Sequence, residues 1–215
     1  MQRLGAGLLA AAFGLWGQAA ELPYAEFAGP SFSVHELAER MPGGCEQGAR
    51  PRFGDLSYPL GEDEPGSDGR VALSGGRMSR SEGAAGERLG NLTVRLASAH
   101  DLPGGGGRTR FWLVVLHVES VGGSTSTNYQ AQVMRCRAGV LEEVQRVVWE
   151  ARVPEGRAAP VVAGDGGLRF TTSHYLPGDA HCCVSAVDEV SLRWEGRRYG
   201  KARVRSRRIR GGETP

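Results

Sequence analysis

The sequence predicts a mainly β protein. It reads as a β-rich α+β fold, an antiparallel sheet domain with a short N-terminal helix, stapled by disulfides. Three observations carry this. Phe111-Trp112-Leu113-Val114-Val115-Leu116 is apolar without a break, as in a central strand buried on both faces. Other segments alternate apolar and polar residues between glycine-rich turns, glycine making up 33 of the 215 residues. An even number of cysteines, 4, follows an apolar leader that points to export into an oxidising compartment.

The leader comes first in the chain. Arg3 gives a short positive start, Leu4 to Trp16 carries no charge, and Gly17 and Ala19 are small residues at the spacing a signal peptidase reads. Residues 1–20 therefore read as a signal peptide. The run is short of the roughly 20 apolar residues of a spanning helix, and retention as an N-terminal anchor is the alternative. Residues 21–210 are read as a single β-rich domain and 211–215 as a disordered tail. The expected location is secreted, periplasmic or cell-envelope.

The helix is expected from Ser33 to Met41. Ser33 and Glu36 have the spacing of a capping box, Phe32 and Leu37 that of a hydrophobic staple. Val34, Leu37, Ala38 and Met41 repeat at helical spacing, and Pro42-Gly43-Gly44 stops the pattern. Gly61–Gly69 and Ser79–Gly90 read as exposed loops. Leu92 to Leu96 alternates as a half-buried strand, Phe111 to Leu116 is the central strand, and Tyr129 to Val133 alternates again. Leu141 to Val153 has valines at helical spacing, but Val147-Val148-Trp149 favours strand, which is the reading adopted. Leu168 to Thr172 follows a Gly164-Asp165-Gly166-Gly167 turn. Val190–Trp194 and Tyr199–Val204 flank Glu195-Gly196-Arg197-Arg198 as a hairpin.

Charge is uneven. Arg197 to Arg210 holds eight of the 26 basic residues and no acid, leaving 18 basic against 24 acidic elsewhere, a net of −6. On a strand, Tyr199, Lys201, Arg203, Arg205 and Arg207 share one face, and Gly200, Ala202, Val204 and Ser206 the other. Such a row suits a polyanion, either an anionic envelope polymer or a lipid surface, and no specific nucleic acid is expected. The plainer reading, which weighs more, is a solvated edge strand whose charges block sheet-to-sheet aggregation.

Cys45, Cys136, Cys182 and Cys183 allow three pairings. The two cysteines beyond the adjacent pair favour two long-range bridges, from Cys45 and Cys136 to Cys182 and Cys183. The alternative joins Cys182 to Cys183 in a strained eight-membered ring and Cys45 to Cys136. A soft-metal site from His174, His181, Cys182 and Cys183 is disfavoured, because zinc sites space their cysteines two to four apart. No cofactor or metal is expected. A redox enzyme would want C-x-x-C, and a serine hydrolase G-x-S-x-G; neither motif occurs. The expected function is a non-catalytic binding or structural module. The alternative is an extracytoplasmic hydrolase or redox enzyme using Asp179–Cys183.

Taken in order, these pieces resemble a bacterial group of secreted proteins and lipoproteins of unknown biochemical role, the LppP/LprE type. The residues concerned are Asp101 to Gly107, Phe111 to Leu116, Gly122-Gly123-Ser124, Tyr129, Asp165-Gly166, Gly178 to Ser185 with its double cysteine, and Arg193-Trp194-Glu195-Gly196. The resemblance spans roughly residues 55 to 200, and the double-cysteine run is its most specific part. It implies a secreted β-rich domain and no particular reaction. In that group the double cysteine often occurs without other cysteines, which favours the vicinal pairing. Pro103 and glycines stand where the group often has an acidic calcium-type turn, leaving only Asp101, so no calcium is expected there. Val184 stands where the group usually has Pro.

Overall fold

The computed structural model describes residues 32–41, 44–45, 49–60, 70–82, 90–105, 109–122, 124–150, 159–176, 179 and 184–209. Residues 1–20 and 211–215, the Gly61–Gly69 stretch expected as a loop and the pair Cys182–Cys183 lie outside the described residues. The elements are β1 (Phe32–Arg40), a one-turn 3-10 helix (Phe53–Asp55), β2 (Ser57–Pro59), β3 (Arg70–Ala72), β4 (Arg77–Glu82), β5 (Gly90–Leu102) and β6 (Thr109–Gly122). They continue as β7 (Ser124–Arg137), β8 (Val140–Glu150), β9 (Val161–Val162), β10 (Leu168–His174), β11 (Ala186–Leu192) and β12 (Arg203–Arg208). The protein is mainly β and every strand pair is antiparallel.

A six-stranded sheet of order β1-β8-β7-β6-β5-β4 forms the centre. A four-stranded sheet, β12-β11-β10-β9, covers one face, and the β2-β3 pair covers the other. The apolar run Phe111–Leu116 is the middle of β6 and is buried on both faces, as its continuity predicts. Phe111, Leu113 and Val115 point into the core shared with the four-stranded sheet. Trp112, Val114 and Leu116 point into the core under β2 and β3. No described helix is long and apolar enough to cross a membrane.

The expected helix at Ser33–Met41 is not present; Phe32–Arg40 is instead the edge strand β1, paired with β8. The reason is competition for backbone partners. A helix of this length must meet its nucleation cost with few internal bonds. The free edge of β8 offers a row of partners that are already fixed, from Phe32 opposite Trp149 to Arg40 opposite Glu142. Glu36 reaches Arg198 at 2.5 Å and Glu39 pairs with Arg70, so neither acid serves a helix start. The second correction concerns Ser79–Glu82, expected as loop but forming part of β4 against β5.

Polar side chains fasten the covers to the central sheet. Gln130 and Gln132 donate to the carbonyls of Leu60 and Pro59, each at 2.9 Å, and hold the end of β2 down. On the opposite face Gln145 bonds the Tyr199 backbone twice, donating to its carbonyl at 3.1 Å and accepting from its N–H at 2.7 Å. A side-chain amide thus imitates a strand neighbour and ties β8 to the C-terminal hairpin. Tyr199 is buried, and its hydroxyl donates to the Gly166 carbonyl at 2.8 Å. Gly166 has φ 83°, and a Cβ there would meet Pro103, Leu102 and Trp194 at 3.0–3.2 Å. Only glycine fits that junction.

One charge cluster is buried. Glu143 is fully enclosed and accepts two bonds from Arg146, each 2.7 Å. A bulge between Val133 and Met134 lets these residues, three apart, share a face. Arg146 also lies 3.9 Å from Glu39, which pairs with Arg70. Burial pushes the Glu143 carboxyl above its ordinary range, against the opposing pull of Arg146. Replacing Glu143 by Ala leaves the Arg146 charge buried without its bidentate partner. Urea titration is expected to show a loss of about 3–5 kcal/mol, whereas Glu143→Leu with Arg146→Met is expected to restore most of it.

Burial also raises the Tyr58 and Tyr199 hydroxyls well above the usual tyrosine value. The folded chain holds these protons more tightly than the unfolded chain. Their contribution to stability is therefore level below about pH 10 and is lost as pH rises beyond it. Alkaline absorbance titration is expected to show two tyrosines that ionise only as the fold is lost.

The basic outer face of the C-terminal sheet as candidate functional site

The four-stranded sheet has one face in the core and one in solvent. Leu168 and Phe170 of β10, and Val190 and Leu192 of β11, point inward. Phe170 stacks on Trp149 with ring centroids 4.2 Å apart, which fixes the sheet against β8. On β12, Ser206 donates to the buried Asp188 at 2.5 Å and anchors the inward phase of the strand. The alternate residues Arg203, Arg205 and Arg207 then face outward by the period of two. All six residues of β12 are exposed.

Register lines up the outer face in rows. Arg169 of β10 lies opposite Ser191 of β11, which lies opposite Arg203 of β12. In the next row Thr171 lies opposite Glu189, which lies opposite Arg205. These six residues, with Val161 beside Arg169, line an open groove of about 450 Å³. Three arginines and one glutamate leave it a formal charge of +2. Val161 is 63% exposed, an apolar contact at the groove wall.

The basic row expected from the sequence is Lys201, Arg203, Arg205 and Arg207. All four side chains are exposed, with Lys201 in the connection just before β12. Tyr199, expected on the same face, is not there: it is bridged to Trp194 and buried behind the hairpin. The groove partners Arg169, Thr171, Glu189 and Ser191 are additions that the structure makes. The alternation of Leu168 to Thr172 gives the outward phase of Arg169 and Thr171, but no sequence signal sets the register that brings them beside β12.

The cysteine pairing is a correction. Cys45 bonds Cys136, with Cα atoms 6.0 Å apart, so neither makes the favoured bridge to Cys182 or Cys183. The physical reason is topological: Met41 and Cys45 cross the end of the β7-β8 hairpin and bond the carbonyls of Leu141 and Gly139 at 2.9 and 3.0 Å. This sets Cys45 beside Cys136 in the β2-β3 core. His181, Cys182 and Cys183 lie outside the described residues. Asp179 is described, and its carboxylate accepts from the N–H of Leu176 at 2.7 Å, the N–H of Ser185 at 2.9 Å and the Ser185 hydroxyl. It closes the two ends of the double-cysteine segment as a clamp. His174 ends β10 opposite Ala186. Asp101 lies 3.4 Å from Arg50, both exposed. Among the described residues no group of three or more His, Cys, Asp or Glu is placed to hold a metal ion.

Comparison with family models, curated proteins and solved structures finds no match.

Peptide mapping under non-reducing conditions is expected to give one cross-link, between Cys45 and Cys136, and no peptide joining either to Cys182 or Cys183. The bridge closes 91 residues of chain. Replacing both cysteines by Ala is expected to cost about 4–5 kcal/mol in a denaturant titration.

Proposed function

We propose that this protein is an exported, cell-envelope β-sandwich module that binds a polyanion through its C-terminal basic row and catalyses no reaction. The leader 1–20 and the double-cysteine resemblance to secreted bacterial proteins support export, and the Cys45–Cys136 bridge fits an oxidising compartment. The observation that carries the binding role is β12, six exposed residues with arginine at 203, 205, 207 and 208. A sheet edge needs few charges to stay soluble. Here the cations continue from the edge onto the adjoining face through Arg169, which edge protection does not require.

The enzyme alternative at Asp179–Cys183 is weaker on this geometry. The Asp179 carboxylate is already engaged by two backbone N–H groups and a hydroxyl, which leaves it a poor orienter for a catalytic histidine.

The test uses the exported chain without residues 1–20 on immobilised heparin at low salt. Retention that disappears as salt is raised is expected, because exposed charges are screened over about 10 Å at 0.1 M. A variant with Lys201, Arg203, Arg205 and Arg207 all changed to Glu is expected to pass unretained. Passage of the unaltered protein at low salt would overturn the reading.

A further inference from the structure

The groove beside β12 is more than an extension of a charged edge, because its charges are not uniform. Arg169 and Arg203 stand on either side of Ser191, across the width of one strand each. Neighbouring strands lie about 4.8 Å apart, so two long guanidinium side chains overhang one small residue from opposite sides. Two guanidinium forks approaching from opposite sides suit a tetrahedral anion. A planar carboxylate is satisfied by one in-plane fork, whereas a phosphate accepts around its whole perimeter. None of Arg169, Arg203 and Arg205 forms an ion pair with another described residue.

The next row is mixed in charge, its one carboxylate set beside one guanidinium. Glu189 lies between Thr171 and Arg205. A carboxylate in the middle of the groove repels a second bare anion and accepts hydrogen bonds from hydroxyl groups. Thr171 and Ser191 add hydroxyls that both donate and accept. The rows are two residues apart along the strand, about 6.8 Å. A site for an anion and a site for hydroxyls therefore lie side by side at roughly the length of one small polyol or sugar unit. Arg207 and Lys201 continue the positive line past the groove along the same edge, one at each end.

We propose that the groove binds a linear polyol- or sugar-phosphate polymer, with a phosphodiester between Arg169 and Arg203 over Ser191 and the hydroxyls of the next unit on Glu189 and Thr171. This rests on the polyanion reading above and names its ligand. Specificity comes from the groove, while the outer cations Arg207 and Lys201 supply non-specific attraction. Charge complementarity selects the anion, and Glu189 selects against polymers that carry charge without hydroxyls. A lipid surface would use the row as a flat face and gain nothing from Ser191 or Glu189.

The experiment measures binding of the exported chain to a short fluorescent poly(glycerol phosphate) by anisotropy. Inorganic polyphosphate of matched charge and vesicles of phosphatidylcholine and phosphatidylglycerol are the competitors. Poly(glycerol phosphate) is expected to bind more tightly than polyphosphate. Arg169→Ala with Arg203→Ala is expected to weaken it by about tenfold or more. Lys201→Ala with Arg207→Ala is expected to weaken it only a few-fold. Glu189→Gln, an exposed substitution, is expected to bring the two polymers close to equal affinity by relieving repulsion of polyphosphate. Circular dichroism confirms that each variant is folded. If the Arg169/Arg203 variant binds as the parent does while the β12 variant loses heparin, the groove assignment fails and the basic-row reading stands. Preference for vesicles over poly(glycerol phosphate) also overturns it. If neither polymer nor heparin is bound at low salt, both fail.

Discussion

The constraint on which the rest of the structure depends is that the Phe111–Leu116 run of β6 has no polar face. Six consecutive apolar residues leave neither side of the strand fit for water. A sheet with such a strand at its middle must be covered twice. The two covers come from opposite ends of the chain. The C-terminal half supplies a second sheet, and the N-terminal segment supplies β2, β3 and the 3-10 turn. The N-terminal cover is small. β2 and β3 are three residues each, too short to hold themselves in place by backbone pairing. That is why the glutamine contacts, the Glu39–Arg70 pair and the Cys45–Cys136 bridge gather on that side. The disulfide is a device for keeping a thin lid on a large apolar face.

The four-stranded cover is held differently. It is wide enough to bring its own apolar layer, and aromatic stacking of Tyr129, Trp149 and Phe170 joins it to the central sheet. Gln145 and the Tyr199 hydroxyl add directional bonds. With its inner face so engaged, its outer face is under no packing constraint. Charge can collect there at little cost to the fold, and that is where the arginines are. The position of the candidate site follows from which cover is self-sufficient.

The strands are legible where composition and periodicity agree. β5, β6, β7, β8, β10 and the β11-β12 hairpin all lie on segments whose alternation or unbroken apolarity marks them. The segment at Ser33–Met41 misleads because its capping and staple residues are local signals, while its fate is set by a distant free edge on β8. β2, β3 and β9 carry two or three residues each and leave no period to read. The same limit applies to the site. Arg203, Arg205 and Arg207 are visible as a row along one strand, but Arg169 and Glu189 join them only through cross-strand register, which depends on turns and bulges elsewhere. The cysteine pairing is hidden for a related reason. An even cysteine count allows every pairing, and the crossing of Cys45 over the β7-β8 hairpin selects Cys136.

Hydrogen exchange, read peptide by peptide on the oxidised protein, tests the two-sided burial of β6 most directly. Amides in Phe111–Val118 are expected to be the slowest in the molecule and to exchange only through global unfolding, while Arg203–Arg208 exchanges orders of magnitude faster. Exchange of Phe111–Val118 at a rate comparable to that exposed edge would contradict a central strand covered on both faces, and with it the placement of both lids.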